Sequence, residues 1–161
     1  MTISIGDNVP LGTLKYLGAD GLKNIEVTEH FANKKIVLFS VPGAFTPTCS
    51  ARHLPGYVEY YDDILKKGVD EIICIAVNDP FVMNAWEKDQ NSKGKVSLLA
   101  DGNGEFSEAL GLLFDGSGFG LGKRGKRFAM IVDNCKISHL AIEEAGAFDV
   151  SSAESILKAL D

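Results

Sequence analysis

Cysteine is scarce in this 161-residue chain: only Cys49, Cys74 and Cys135 occur. An odd count at long spacings gives no disulfide framework and no zinc knuckle. Thiols of this kind fit a reducing compartment, where a lone cysteine is either catalytic or merely buried. Positive charge is also in short supply, with 16 Lys and Arg against 22 Asp and Glu. The resulting net charge of −6 argues against a nucleic-acid surface and against attraction to anionic membranes. No stretch approaches the ~20 apolar residues of a membrane span. Met1 to Asp7 has neither the basic region nor the apolar core of a signal peptide, so the expected location is cytoplasmic. The three histidines lack metal-ligand spacing, and no repeat, linker or low-complexity segment interrupts the chain. What remains, 45% hydrophobic and 24% charged, is the composition of an ordinary globular protein. Its length suits one domain spanning residues 1–161. A chain of this size buries about 68–70% of its unfolded surface and needs no disulfide staples.

Strand and helix signals alternate along it. Residues 1–30 read as short strands and turns, with turn clusters at Asp7-Asn8-Val9-Pro10 and Gly18-Ala19-Asp20-Gly21. His30 beside a turn reads as a surface residue without a role. Ile36 to Val41 and Glu71 to Val77 are nearly continuous β-prone runs, as expected of strands covered on both faces. Between them a helix is predicted, with a kink or break at Pro55-Gly56 and a stop at Gly68. Asn78-Asp79-Pro80 opens a second helix that ends near Gln90, with Phe81, Val82, Ala85 and Trp86 on its apolar side. Val96 to Ala100 is a third strand, and Glu105 to Leu113 looks helical. A glycine-rich stretch, Gly116 to Gly125, reads as a flexible loop. Arg127 to Asp133 and Ile137 to about Ile142 then form a hairpin around Asn134-Cys135, and Ser151 or Ser152 caps a last helix. Alternation first and a hairpin later predicts an α/β fold, a central mixed sheet with helices on both faces.

One junction draws attention. The strand ending at Val41 runs into Pro42-Gly43-Ala44-Phe45-Thr46-Pro47-Thr48-Cys49. Thr is a good N-cap and Pro is favoured at the first helical position, so Cys49 falls third in the helix. There its sulfur meets backbone N–H groups without intrahelical partners and the positive end of the helix dipole. Both favour thiolate over thiol. A free cysteine is more often a small core residue, but strand, turn and helix start together argue for a nucleophile.

Other patterns carry less. Gly120-x-Gly122-x-x-Gly125 matches a dinucleotide-binding pattern by letter, but it precedes a strand instead of following one. Asp62-Asp63 and Glu143-Glu144 are neighbours whose side chains diverge, and read as solvated faces. His53 lies four residues after Cys49, on the same helix face if no break intervenes, and is placed to tune the thiol. An arginine fork suits a thiolate and a polar oxygen substrate together. On residue type alone Arg124, Lys126 and Arg127 remain equally eligible.

The extended stretch from Val41 to Ser50, containing Pro42-x-x-x-Thr46-x-x-Cys49 and followed by His53-Leu54-Pro55-Gly56, resembles the active-site motif of the peroxiredoxins, and of their five-type (type II, atypical) subgroup in particular. The similarity continues through Val77-Asn78-Asp79, Phe81-Val82, Leu99-Ala100-Asp101-Gly102 and Arg127-Phe128. The resemblance implies a thioredoxin-like fold and a cofactor-free thiol peroxidase acting on hydrogen peroxide and alkyl hydroperoxides in antioxidant defence. By position it makes Cys49 the peroxidatic cysteine, gives Thr46 a hydrogen bond to peroxide, makes Pro42 a shield and selects Arg127 as the active-site arginine. It also suggests a homodimer, with Phe45 and the 118–122 loop as candidate contacts. Some subgroup members carry a resolving cysteine near the last helix; here Ala147 to Ser152 has none. An external thiol is therefore expected to recycle Cys49, from glutathione with glutaredoxin or from thioredoxin. Intact Pro42, Thr46, Cys49 and Arg127 argue against a holdase without peroxidase activity. Thr46 at the third position before Cys49 argues against a Cys-x-x-Cys dithiol oxidoreductase.

Overall fold

The computed structural model describes all of Met1–Asp161. Its centre is formed by the continuous apolar runs. Strands β3 (Lys35–Ser40), β4 (Glu71–Ala76) and β5 (Val96–Ala100) lie parallel, with β4 in the middle. An amino-terminal hairpin, β1 (Thr13–Gly18) and β2 (Gly21–Glu26), extends the sheet beyond β5. A carboxy-terminal hairpin, β8 (Phe128–Asp133) and β9 (Lys136–Ile142), extends it antiparallel beyond β3. The seven-stranded order is β2-β1-β5-β4-β3-β8-β9. Asn134 and Cys135 turn the second hairpin with φ of 48° and 68°, the pair of left-handed residues a two-residue hairpin demands.

Period-two alternation divides the core. Val37, Phe39, Cys74, Ala129 and Ile131 face a layer made by α2 (Leu54–Glu59), α3 (Tyr61–Lys66), α4 (Pro80–Gln90) and α6 (Ala153–Leu160). Ile36, Leu38, Ile73, Ile75 and Met130 face the other side, closed by α1 (Val27–His30) and α5 (Glu105–Leu110). The expected mixed sheet with helices on both faces is the observed one, in a thioredoxin-like arrangement. No helix is long and apolar enough to cross a membrane.

Several local expectations need correction. The helix after Cys49 does not break at Pro55-Gly56. It begins at Pro47, widens into a π-turn over Cys49–His53 and runs on through Pro55 to Glu59. Pro55 has no N–H to give and its ring crowds the carbonyl one turn back; widening the preceding turn relieves both. The real interruption is Tyr60, at φ −92° and ψ 12°. In α4 the buried residues are Pro80, Met83 and Trp86, while Phe81 and Ala85 face outward. Helix α5 stops at Gly111, whose φ of 74° ends it, so residues 111–113 are not helical. Leu113–Asp115 (β6) and Lys123–Gly125 (β7) pair as a small hairpin around the glycine-rich segment, which is therefore anchored rather than a free loop. His30 is half-buried and shares a 2.7 Å contact with Glu71.

Candidate active site

The site assembles where β3 ends. Beyond Ser40 the chain cannot continue as a strand, because Pro42 has no N–H to donate. It turns through Gly43 and Ala44 into Thr46. Two groups from elsewhere hold this loop. Asn78, just after β4, accepts the Ala44 N–H at 2.9 Å. Arg124, on β7, donates to the Pro42 carbonyl at 3.1 Å and to the Leu121 carbonyl at 3.0 Å. A Cβ at position 43 would lie 2.6 Å from Nη1 of Arg124, so any larger residue there would push the guanidinium off the loop it holds. Phe45 adopts φ 64°, rare for a bulky residue, and leaves its ring half exposed.

The thiol is not on the surface. Cys49 is fully buried, among Val41, Ala44, Leu54 and Tyr57. Cavities of about 630 Å³ and about 810 Å³ exist elsewhere, and Cys49 lines neither. The buried sulfur has one charged partner: Arg127 Nη2 donates to Cys49 Sγ at 3.1 Å. Of the three basic candidates Arg127 alone touches the sulfur; Arg124 clamps the loop, and Lys126 is exposed.

His53 proves to be part of this arrangement, though not by touching the thiol. Arg127 Nη1 donates to His53 Nδ1 at 2.7 Å, and His53 Nε2 donates to the Ser151 carbonyl at 3.0 Å. The guanidinium thus bridges the imidazole and the sulfur. These partners fix the neutral tautomer with its proton on Nε2. Burial, aided by the Arg127 charge, holds the His53 pKa down to about 3. The ring is wedged between Phe39, at 4.8 Å, and Phe148, at 5.0 Å. A neutral imidazole leaves Nδ1 free to accept from Arg127, so the guanidinium is held in its direction and meets no opposing charge there.

Thr46 departs from the expected side-chain cap. Its hydroxyl donates to the Gly43 carbonyl at 2.7 Å, while its backbone carbonyl accepts from Ser50 N–H at 3.0 Å. With the proton committed to the Gly43 carbonyl, the Thr46 hydroxyl is left with its lone pairs, as an acceptor. Pro42 contributes its carbonyl to Arg124. The other thiols are placed differently. Cys74 is buried in mid-β4, and burial, with the nearby Cys49, pushes its pKa well above the usual value. Cys135 sits at the opposite end of β3 from Cys49, about 17 Å away by strand rise alone. Its Sγ donates to the Thr28 carbonyl at 3.3 Å.

A thioredoxin-like sheet presenting one buried, arginine-paired cysteine at a helix start defines a thiol-based redox enzyme. The Redoxin family model matches residues 4–157. Peroxiredoxin-2D of Arabidopsis thaliana is 49% identical over 159 residues, covering 98% of both chains. Hybrid peroxiredoxin hyPrx5 of Haemophilus influenzae is 44% identical over 158 residues, 96% of this chain and 65% of that one. Reduced Prx3 from Vibrio vulnificus, solved in complex with H2O2, superposes with a TM-score of 0.96 at 49% identity, covering 99% of this chain and 100% of that one. The chain belongs to the peroxiredoxin family and is a thiol peroxidase that reduces peroxide.

Sequence reasoning passed over Asn78 and Arg124 as supports of the catalytic loop. Asn78 lay in plain view, directly after a buried strand, the usual place for site residues in parallel sheets. Arg124 left no such trace, because its role depends on a hairpin that glycines disguised.

Proposed function

We propose that this peroxiredoxin belongs to the five-type (type II, atypical) subgroup and reduces hydrogen peroxide and alkyl hydroperoxides at Cys49, with an external thiol completing the cycle. The observation that carries the reading is the 3.1 Å contact between Arg127 Nη2 and Cys49 Sγ. The Cys49 thiolate attacks one peroxide oxygen; an S–O bond forms as the O–O bond breaks. Sulfur loses two electrons, and the departing oxygen leaves with the bonding pair, takes a proton, and becomes water or an alcohol. A low thiol pKa alone does not make a fast peroxidase, because nucleophilicity falls with basicity. The site must also stabilise the departing oxygen. Arg127 and the first-turn N–H groups are the donors; the Thr46 hydroxyl, expected to donate as well, gives its proton to Gly43 and so accepts from the peroxide O–H instead, and Pro42 shields the pocket. That a relative from Vibrio vulnificus was solved with H2O2 supports the substrate class.

The recycling step follows from the other cysteines. Cys74 is enclosed and held protonated, and Cys135 is at the far end of β3. An external thiol therefore condenses with the sulfenic acid, releasing water and leaving a mixed disulfide. A second thiol then attacks the donor's sulfur and frees Cys49. Glutathione with glutaredoxin, or thioredoxin, fits this role in a reducing cytoplasm, where the three unpaired thiols persist. A homodimer with Phe45 and the 118–122 loop at its contact would cover the exposed rings of Phe45 and Phe119. The test is a Cys74→Ser/Cys135→Ser variant, followed by the mass of Cys49 after peroxide, with each thiol donor in turn. Sulfenic acid on Cys49 and multiple turnovers are expected; a single turnover would overturn the one-cysteine cycle.

A further inference from the structure

Glu143 read as part of a solvated acidic pair, and Glu144 is exposed as expected. Glu143 is not. It lies just beyond β9, and its N–H donates to the Arg127 carbonyl at 3.0 Å. It is half-buried, and one oxygen, Oε2, accepts three hydrogen bonds. They come from Asp149 N–H at 2.6 Å, Ser151 N–H at 2.9 Å and Ser151 Oγ at 2.7 Å. The 147–152 loop has little regular structure of its own, so this carboxylate is its principal polar anchor. Ser151 is fully buried, and its carbonyl accepts from both His53 Nε2 and Tyr57 Oη, at 3.0 and 2.7 Å.

These contacts close a ring. The backbone of Arg127 holds Glu143; Glu143 holds Ser151; Ser151 holds His53; and His53 holds the side chain of the same Arg127, whose other nitrogen faces Cys49. We propose that Glu143 is a positioning residue for the peroxidase reaction: by fixing the Ser151 carbonyl it orients His53, and through it aims the Arg127 guanidinium at the sulfur. This assignment rests on peroxide chemistry at Cys49 and is independent of which thiol restores it. The ionisable groups along the path are Glu143, His53, Tyr57, Arg127, Cys49 and Cys74; Arg52 packs against the ring of Phe148, 4.7 Å from its centre. Partial burial opposes ionisation of Glu143, but the hydrogen bonds from Ser151 and Asp149 prevail and keep it a carboxylate below its ordinary pKa. The acceptor is therefore charged throughout the working pH range.

The test separates positioning from mere stability. Glu143→Ala and Glu143→Gln are compared with the unmodified chain for the second-order rate of Cys49 oxidation by H2O2. The pH midpoint of Cys49 alkylation by iodoacetamide is followed on the Cys49 peptide by mass. Glu143→Ala is expected to lower the rate on the order of threefold to thirtyfold and to raise the midpoint. Glu143→Gln keeps the shape but not the charge, and is expected to move both readouts less and in the same direction. If the alanine variant does not fold, the glutamine variant carries the test. In a His53→Leu background, which loses both hydrogen bonds of the imidazole, the effect of Glu143→Ala should shrink below about a factor of two, because the path is already cut. Ile156→Val, which thins the core within α6, serves as the stability control. Glutamine indistinguishable from wild type, losses that multiply fully in the double variant, or an equal midpoint shift in the Ile156 control would each overturn the assignment.

Discussion

Because His53 is neutral when folded, acid should unfold this protein through it. The pKa of His53 lies at about 3 in the fold, against 6.5 for an unperturbed histidine. Between these values the unfolded chain binds a proton that the native state refuses, so stability falls as pH falls. The contribution is fully present above about pH 6.5 and is lost progressively down to about 3. Each pH unit inside that window is worth about 1.4 kcal/mol. From pH 7 to pH 5 the unfolded histidine goes from mostly neutral to almost wholly charged, which amounts to about 2 kcal/mol. With a urea slope of about 2 kcal/mol per molar, the unfolding midpoint should move down by about 1 M. The window is chosen above the range of Glu143, whose depressed pKa gives stability that is lost only as pH falls below its ordinary 4.5. Urea titrations at both pH values, at one fixed protein concentration, should be made on the wild type and on His53→Gln. Glutamine can still donate to the Ser151 carbonyl but takes up no proton. It should lower stability at pH 7 and remove most of the His53-dependent acid sensitivity. An equal midpoint shift in both proteins would refute the account of a buried neutral imidazole.

Other perturbations bear on the site. Arg127→Lys replaces a fork that reaches both His53 and Cys49 with a single ammonium, and peroxide reactivity in stopped flow should drop about 10²- to 10³-fold. Thr46→Val should cost about tenfold to a hundredfold in the same assay, whereas Thr46→Ser, which keeps the donor to the Gly43 carbonyl, should cost far less; equal losses would mean the hydroxyl is unimportant. Phe45→Gly removes an exposed ring at a backbone angle glycine accepts, and should shift sedimentation toward monomer with an unchanged far-ultraviolet spectrum. Unchanged sedimentation would exclude Phe45 from a dimer contact.

Much of the fold was legible because local and global signals agree. The stretches Ile36–Phe39 and Ile72–Ala76 are apolar at every step, which only a strand covered on both faces tolerates, and the two core layers divide them residue by residue. The helix start at Thr46-Pro47 that places Cys49 in its first turn was likewise visible, since a proline-led start is written in consecutive residues. What stayed hidden depends on distant partners. Nothing near His53 indicates that an arginine 74 positions later will claim its Nδ1. The Glu143 side chain looks solvated until the 147–152 loop folds back over it. The helix through Pro55 defied the rule for proline because a π-turn, which leaves no compositional mark, absorbed the misfit. The glycine-rich segment was misread for the opposite reason: its strands are three residues each, too short for alternation to show.

The split of β3 between the two core layers has a consequence for how this enzyme can change over time. Val37, Phe39 and Val41 point to the layer that contains Cys49; Ile36 and Leu38 point away. Inserting or deleting a single residue in that strand would exchange the two sets. Because every member of both sets is apolar, the altered strand would still find oily surroundings on either side. The catalytic loop, however, would leave the sheet half a pleat out of phase, turning the sulfur away from its arginine. Apolar substitutions in β3 therefore cost only what repacking costs, about 1–3 kcal/mol, while its length is held rigid by chemistry occurring nine residues beyond its end.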